Sequence, residues 1–339
     1  MKILWVKSGK ILPVDTGGKI RSYNILRRLS SGNEVAFISY YGGRRDEAYE
    51  QEIARDLPGT QAIHTATPDA TAIEQAFDYV RRFPSGKPFA VSKFASTKVK
   101  RIVDCWIRNH QPDIAVCDFL SASLNFPRHP ATPTVLFQHN VESVLWQRQA
   151  DTELNPFKRA IFKIEARRMV RYEAEALQAF HHIIAVSEQD RARMAAMTDA
   201  ARISVVPTGV DLSCFKPDPA VKVTKPLVLF IGSMDWQPNI DGVDYFCREI
   251  WPRVLAKVPQ ARFRIVGRNP TAAVRRLVSD TVEVTGTVPS VMTHLRESAV
   301  VVVPLRAGGG TRLKIPEAMA VGKSVVSTSV GAEGLDLHP

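Results

Sequence analysis

The segment 308–317 has residue types and a spacing that suit the binding of a diphosphate. It begins with three consecutive glycines, which permit the backbone to approach a bulky anion. A helix is predicted to begin near Leu313, because Pro316 is tolerated only within a first turn, and to end at Gly322. The free N–H groups and the positive dipole end of this helix then face the glycine turn.

Charged side chains strengthen this interpretation. Arg312 and Lys314 supply positive charge for a diphosphate, and Glu317, one turn into the helix, can accept hydrogen bonds from two vicinal ribose hydroxyls. The alternative is a tight connection between a strand and a helix that contains a buried charge. Three glycines beside a T-R-x-K run favour the binding site.

A second glycine turn follows the first predicted strand. Gly17 and Gly18 precede an amphipathic helix, whose N-terminus suits an anion. A pair of glycines is a weak motif by itself. Its interpretation as a site depends on its position facing a second Rossmann-like unit.

Polar residues at the ends of other strands are further candidates. His139 lies where a parallel strand is expected to meet a cleft, with Asn140 and Glu142 as orienting partners; a structural histidine is the alternative. The remaining candidates follow strands in the second half of the chain: Gly232, Ser233, Gly267, Arg268, Gly286, Thr287 and Val288.

Short apolar runs alternate with amphipathic ones, which predicts an α/β protein with parallel, doubly wound sheets. Strands are predicted at 3–6, 34–40, 62–65, 113–118, 134–139, 183–187, 204–207, 227–232, 262–267, 282–284, 300–304 and 324–328. Helices are predicted at 18–29, 69–83, 92–109, 157–179 and 189–197, the last capped by Ser187.

A proline-rich segment at 211–226 separates two sets of strands. We therefore expect an N-terminal domain at 1–215 and a C-terminal domain at 216–339. The second set ends shortly after its fifth strand, with no closing helices to cover the sheet edge. This predicts a C-terminal domain that is truncated or unusually small.

The charge of the chain restricts its partners. The 339 residues carry a formal net charge of +11, which suits nucleic acid, an anionic membrane or a phosphorylated substrate. Basic residues are dispersed without a nucleic-acid-binding motif, so we expect no nucleic-acid partner. Basic and apolar residues interleaved at 157–171 indicate either a solvated helix face or a contact with anionic lipid headgroups or a phosphorylated acceptor.

The four cysteines are widely spaced and indicate neither a disulfide framework nor a zinc site. No apolar stretch approaches the ~18 residues that span a bilayer, and the first apolar run is too short for a signal peptide. We expect a cytoplasmic protein, at most peripheral at the inner face of the cell membrane.

Five motifs in order give the chain a specific resemblance. They are F-I-G-S-M-D-W-x-P-N, I-V-G-R-x-P, V-x-V-T-G-x-V, V-P-L-R-x-G-G-G-T-R-L-K-I-x-E-A-M-A-x-G and G-A-E-G-L. Over nearly its whole length the sequence resembles the retaining glycosyltransferases of GT-B fold often called family 4. The resemblance implies two Rossmann-like domains that face each other across a cleft.

The resemblance also implies an activity. Such enzymes transfer a sugar from a UDP- or GDP-type donor to an acceptor hydroxyl with retention at the anomeric carbon, without a metal or other cofactor. The acceptor, a glycan or a lipid-linked glycan in cell-surface polysaccharide or glycolipid biosynthesis, would lie on the N-terminal domain.

Site residues are carried over from the same resemblance. Glu317 would bind the ribose, and the backbone of Gly309, Gly310 and Thr311 the diphosphate, next to Gly308 of the glycine turn. His139 would lie beside the donor sugar, Gly18 near the donor phosphate, and Thr287 with Val288 near the base. Catalytic roles are thus expected for His139 and Glu317.

Two positions depart from the pattern of many relatives. Gly309 stands where these carry an acidic residue near the donor sugar, and Ser233 where these carry an arginine. A subgroup with the G-G-G-T-R-L-K form shares both changes. We infer that backbone amides, Arg312 and Lys314 make those anion contacts instead.

Three other functions are compatible with parts of the sequence. A nucleotide-sugar epimerase of the same architecture would need carboxylates around the sugar. A truncated nucleotide-sugar-binding subunit with weak or no turnover would follow from the missing C-terminal helices. A nicotinamide-dependent dehydrogenase is disfavoured because no G-x-G-x-x-G follows the first strand.

Overall fold

Two parallel sheets organise the chain. The computed structural model describes residues 1–65, 72–128, 130–221, 223–308 and 311–335. These form two compact units, Met1–Pro207 and Thr208–Pro339. Twelve strands form within the described residues, and the ends of each differ from the predicted ones by at most two residues.

The first unit contains a seven-stranded parallel sheet in the order β3-β2-β1-β4-β5-β6-β7. Its strands are β1 (Lys2–Ser8), β2 (Glu34–Tyr41), β3 (Thr60–His64), β4 (Ile114–Asp118), β5 (Thr134–Phe137), β6 (His182–Ala185) and β7 (Ile203–Val205). Its helices are α1 (Gly17–Ser30), α2 (Glu47–Asp56), α3 (Ala72–Arg82), α4 (Phe89–Ser92), α5 (Thr97–His110), α6 (Glu142–Thr152), α7 (Pro156–Ala179) and α8 (Glu188–Ala195).

Alternate residues of β1 enter different cores. Leu4 and Val6 belong to one apolar cluster, and Ile3 and Trp5 to another, because successive side chains of a strand point to opposite faces. Both faces of the sheet are therefore covered, as in a doubly wound fold.

The register aligns polar residues at one edge of this sheet. Lys7 of β1 pairs with Asp118 of β4, and Asp118 pairs with Phe137 of β5. The three strands are parallel, so their carboxyl ends lie side by side. His139 follows β5 at the same edge.

The second unit contains a five-stranded parallel sheet in the order β10-β9-β8-β11-β12. Its strands are β8 (Leu227–Ile231), β9 (Arg262–Val266), β10 (Val282–Gly286), β11 (Val300–Val303) and β12 (Ser324–Ser327). Its helices are α9 (Gln237–Tyr245), α10 (Trp251–Lys257), α11 (Ala272–Arg275), α12 (Met292–Glu297) and α13 (Lys314–Ala320). The boundary between the units, at 207/208 rather than at 215/216, lies in the same connection between β7 and β8.

The helices agree less well with the prediction than the strands. The helix predicted at 92–109 is wrong in its extent, because the chain breaks after α4 and restarts at Ser96, whose hydroxyl accepts from the N–H of Val99 at 3.4 Å. The cap at Ser187 is confirmed, since its hydroxyl accepts from the N–H of Asp190 at 3.1 Å. Residues 69–71 of a further predicted helix lie outside the described residues.

In the first unit, α2 and α6 were not predicted, and the prediction reached only Ser92 of α4. In the described parts of the chain, no helix is long and apolar enough to cross a membrane.

Candidate functional site

Close packing of strand ends shapes one edge of the second sheet. Gly232 and Gly267 directly follow β8 and β9, and a Cβ atom on Gly267 would lie 1.6 Å from the carbonyl oxygen of Gly232. A larger residue at 267 would therefore clash with the neighbouring backbone. The N–H of Gly267 donates to the carbonyl of Gly286 at 3.3 Å, which joins the ends of β9 and β10.

Ser233 connects two of these turns. Its hydroxyl donates to Asp235 Oδ1 at 2.5 Å and accepts from Arg268 Nε at 2.9 Å. Asn269 Nδ2 donates to Asp235 Oδ2 at 2.9 Å. Because the hydrogen bond from Ser233 lowers the pKa of Asp235, this carboxylate stays ionised and holds the chain of hydrogen bonds that orients Arg268.

Gly308 lies against a buried arginine. Its φ is +113°, and a Cβ atom there would lie 2.6 Å from Arg312 Nη2 and 3.0 Å from Trp236 Cη2. The guanidinium carbon of Arg312 is 5.3 Å from the centre of the Trp236 ring, within range of a cation–π interaction. Gly309 and Gly310 lie outside the described residues.

The start of α13 brings a lysine to the end of β8. Lys314 Nζ donates to Asn239 Oδ1 at 3.2 Å and lies 4.2 Å from the centre of the Phe230 ring. A Cβ atom on Gly232 would lie 2.9 Å from Lys314 Nζ. Burial, and then the charge of Arg312, lower the pKa of Lys314 to about 7. A bound anion would stabilise its charged form.

Two polar groups in the same segment lack hydrogen-bond partners among the described residues. The hydroxyl oxygen of Thr311 is buried without a partner. Glu317 lies in the first turn of α13, and burial raises the pKa of its carboxyl to about 7. Buried polar groups are usually hydrogen-bonded, so the Thr311 hydroxyl has capacity for a ligand, and so has the half-buried Glu317 carboxylate.

Thr287 and Val288 follow β10, at the same sheet edge but two strands from β8. Thr287 is exposed, and Val288 is half-buried against the apolar cluster that contains Leu229 and Val301. The structure therefore brings together the turns after β8, β9 and β11, with these two residues beside them.

The first unit contains a buried cluster of charges where β1 and β4 end. The Asp118 carboxylate accepts from Trp5 Nε1 at 3.1 Å and lies 3.4 Å from Lys7 Nζ. Asp118 and Lys7 are 0% and 3% exposed. Burial opposes ionisation of Asp118, but the Lys7 charge and a hydrogen bond from His139 outweigh it, so the pKa of Asp118 lies well below its usual range.

His139 is buried in this cluster with both ring nitrogens bonded. Nε2 lies 2.7 Å from Asp118 Oδ1, and Nδ1 lies 3.0 Å from Arg21 Nη1. A carboxylate only accepts and a guanidinium only donates, so Nε2 carries the proton and Nδ1 is the acceptor. Burial also lowers the pKa of His139 to about 4. The imidazole is therefore neutral, in a single tautomer.

The expected orienting partners of His139 are wrong. Asn140 and Glu142 bond to each other, whereas Asp118 and Arg21 orient the ring. Asn140 and Glu142 follow His139 in sequence, but the chain has already left the strand there. The parallel sheet instead brings Asp118 of β4 and Arg21 of α1 next to the imidazole.

A glycine of α1 makes room for an aromatic ring on His139. The Phe119 ring stacks on His139 with 3.7 Å between centroids and 2° between planes. A Cβ atom on Gly18 would lie 2.4 Å from Phe119 Cζ. Close packing against the Phe119 ring therefore requires a glycine at this position. Gly17 is the first residue of α1, after Thr16, which provides no side-chain cap.

Three members of the cluster, Lys7, Arg21 and Asp118, were missed in the sequence. A lysine at the end of an apolar strand and an aspartate ending another strand are the available signals. Neither indicates a contact, because Trp5 and Asp118 are 113 residues apart, Arg21 and His139 are 118 apart, and even Asp118 and His139 are 21 apart.

Two doubly wound parallel units, with glycine turns at a carboxyl edge, define a GT-B protein. Residues 21–213 match the family model Glycosyltransferase Family 4, and residues 225–337 match Glycosyl transferases group 1. The first match covers more than half of the chain. The protein belongs to glycosyltransferase family 4 and is a glycosyltransferase.

Individual relatives are distant. An uncharacterised 44.6 kDa protein in the cps region of Klebsiella pneumoniae is 22% identical over 352 aligned residues, covering 98% of this chain and 84% of that protein. Anabaena HepE in complex with UDP-glucose has 15% identity and a TM-score of 0.61, over 100% of this chain and 83% of that one. The lipopolysaccharide outer core galactosyltransferase WaaB has 16% identity and a TM-score of 0.59, over 100% and 84%.

Proposed function

We propose that this glycosyltransferase moves a sugar from a nucleoside-diphosphate sugar to an acceptor hydroxyl, with retention of anomeric configuration. The segment 308–317 carries the proposal. It combines a lysine whose pKa is lowered to about 7, a buried hydroxyl without a partner and a half-buried carboxylate without a hydrogen bond to a described residue. A diphosphate and a ribose supply the groups that these three side chains lack.

Within this proposal the backbone N–H groups around Gly309 and Gly310 and the side chains of Arg312 and Lys314 hold the diphosphate. Glu317 accepts from the two ribose hydroxyls. Gly232, Ser233 and Arg268 border the phosphates, and Thr287 and Val288 border the base. Gly17 and Gly18 of the first unit are also assigned to donor binding in this proposal. HepE is similar in fold and has structures with UDP and with UDP-glucose, which favours UDP over GDP.

The chemistry needs no strong protein base. The bond from the anomeric carbon to the diphosphate breaks while the acceptor oxygen bonds to the same face of that carbon. The leaving phosphate takes the acceptor proton. Preorganised positive charge beside the phosphates stabilises the developing negative charge, and we expect transfer to persist in excess EDTA.

The acceptor we propose is a glycan or lipid-linked glycan in cell-surface polysaccharide or glycolipid biosynthesis. One relative is named for the cps region, and one structure of similar fold is a lipopolysaccharide galactosyltransferase. The second name concerns a cell-surface glycolipid.

A thermal-shift panel of nucleoside diphosphates and nucleotide sugars tests the donor. UDP or GDP and one of its sugars should raise the melting temperature, whereas the matching monophosphate should do so much less. NMR of the transferred sugar then tests retention from the anomeric coupling constant. A panel without any diphosphate-dependent shift, or a product of inverted configuration, would contradict the proposal.

The pH dependence of nucleotide binding should be bell-shaped around neutrality. Lys314 binds phosphate when protonated and Glu317 binds ribose when ionised, and the pKa of each is about 7. Affinity should fall above pH 7 as Lys314 loses its proton, and below pH 7 as Glu317 gains one. Calorimetry of UDP binding across pH measures this.

Single variants separate the two limbs of this profile. Lys314→Met should remove the alkaline limb and Glu317→Gln the acidic limb, each leaving the other in place. A wild-type affinity that is flat from pH 6 to 8 would show that neither group titrates in the site.

His139→Ala should reduce sugar transfer much more than UDP affinity. Both ring nitrogens are already bonded, to Asp118 and Arg21, so neither is available to the nucleotide, and we propose that the role of His139 concerns the sugar. Transfer rate and UDP dissociation constant are compared for His139→Ala and for His181→Ala, a histidine between α7 and β6 that bonds to Thr134. Equal losses of transfer and nucleotide binding in His139→Ala would assign it a structural role alone.

A further inference from the structure

The first part of α7 exposes apolar side chains that the fold does not cover. Leu154, just before the helix, is 96% exposed; Phe157 is 82%, Ile161 43% and Ile164 37% exposed. Phe157, Ile161 and Ile164 are spaced by four and three residues, so they form one stripe along the helix. Four large apolar side chains in a row on a surface indicate a binding partner.

Basic residues surround this stripe. Lys158, Arg159, Lys163, Arg167 and Arg171 are all exposed, and none of them forms an ion pair with a described residue. Elsewhere on the same helix, Arg168 does pair with Glu165 at 3.2 Å. We call these five residues and the four apolar ones the α7 surface.

The apolar character continues onto a neighbouring helix. Arg168, one turn after Ile164, places its guanidinium carbon 4.0 Å from the centre of the Phe83 ring, next to the end of α3. On α3, Phe77 and Val80 are 72% and 68% exposed. Two adjacent helices of the first unit therefore present apolar side chains to solvent.

We propose that the α7 surface docks on the anionic surface of a lipid membrane. An apolar stripe bordered by cations is the pattern of a helix that lies in a membrane interface, with apolar side chains among the acyl chains and cations at the headgroups. A second copy of the chain fits poorly, because five cations without acidic partners would meet five more, on a chain of net charge +11. A soluble anion leaves the apolar stripe exposed.

Sedimentation with vesicles tests this proposal on the purified chain. It should bind phosphatidylcholine vesicles that contain phosphatidylglycerol, bind pure phosphatidylcholine far less, and lose binding as salt is raised. Phe157→Gln/Ile161→Gln should lower the partition coefficient at least about tenfold by removing the apolar anchor. Lys163→Glu/Arg167→Glu should lower it at least about tenfold by reversing two charges.

Matched variants elsewhere on the surface are the controls. Leu212 is 68% exposed in the second unit, and Arg253 with Lys257 forms an exposed i, i+4 pair on α10. Leu212→Gln and Arg253→Glu/Lys257→Glu should bind vesicles like the wild type. All the variants should keep their UDP affinity, because none touches segment 308–317, so the proposal stands or fails independently of the donor site.

Three outcomes would overturn membrane docking. Equal binding to both vesicle types would show that anionic headgroups are not what the α7 surface recognises. Undiminished vesicle binding by Phe157→Gln/Ile161→Gln would show that the apolar stripe does not anchor the protein to the membrane. Self-association in sedimentation velocity that this variant abolishes, without vesicle binding by the wild type, assigns the α7 surface to a second copy.

Discussion

Glu317→Ala should weaken UDP binding by about 1.5–3 kcal/mol, roughly ten- to a hundredfold. The carboxylate sits in the first turn of α13, where burial raises its pKa to about 7 and no described residue hydrogen-bonds to it. Removing it leaves two ribose hydroxyls desolvated without an acceptor. Calorimetry with UDP measures the loss, at a pH slightly above 7 so that the wild-type carboxylate is ionised.

Three comparisons isolate the ribose contact. Glu317→Gln keeps one acceptor oxygen and should lose less affinity than Glu317→Ala. Inorganic pyrophosphate, which has no ribose, should bind the wild type and Glu317→Ala alike. Glu249→Gln, an exposed glutamate of the same unit, should leave UDP binding unchanged. A folded Glu317→Ala protein with wild-type affinity for UDP would remove Glu317 from the site.

The strands could be predicted because their signal is local. Most strands contain a short β-branched or aromatic run, and burial on both faces makes that run almost continuously apolar in the central strands of the two sheets, such as β4 and β8. The glycine turns could be predicted for the same reason, because the glycines and the helix start beside them are consecutive in sequence. The end of α13 and its beginning at Lys314 follow from Gly322 and Pro316.

Helix α6 could not be predicted because its cap comes from a distant residue. Its own N-cap position, Val141, offers no hydrogen bond. The carboxylate of Glu173 instead accepts from the N–H of Glu142 at 2.8 Å and of Ser143 at 3.0 Å. A carboxylate at a helix N-terminus satisfies free N–H groups, but these residues are 30 and 31 apart in sequence.

The surroundings of His139 were hidden in the same way. The sequence places Asn140 and Glu142 beside it, whereas the sheet places Asp118 and Arg21 there. The surroundings of Gly18 were not predicted either. Its position before a helix suggests an anion site, whereas the structure gives a steric reason for a glycine, because a Cβ atom there would lie 2.4 Å from the Phe119 ring. Contacts across strand ends depend on register, which a single sequence does not contain.

Asp118→Asn should destabilise the first unit by about 3 kcal/mol. The carboxylate balances the buried charge of Lys7, and the donors around its two oxygens include Trp5, Lys7 and His139. An asparagine has one oxygen and one NH₂ group, so one donor must face another donor. His139 cannot adapt by moving its proton to Nδ1, because Arg21 donates there.

Urea unfolding followed by tryptophan fluorescence measures this loss, since Trp5 bonds directly to Asp118. Lys7→Met/Asp118→Asn should be more stable than Asp118→Asn alone, because the double variant no longer buries an unpaired ammonium. Asp104→Asn is the control: this aspartate lies half-buried on α5 and should unfold like the wild type. An Asp118→Asn transition at the wild-type urea concentration would contradict the pairing.

The ionisation of Asp118 also determines how the stability of the first unit changes with pH. The pKa of Asp118 in the folded chain lies well below its usual range, so its contribution to stability is complete above the unfolded value of about 4. That contribution is lost as pH falls below 4 towards the folded pKa. The difference in free energy of unfolding between the wild type and Asp118→Asn should therefore become smaller as the solution is acidified. Protonation removes from the wild type the same charge that the substitution removes.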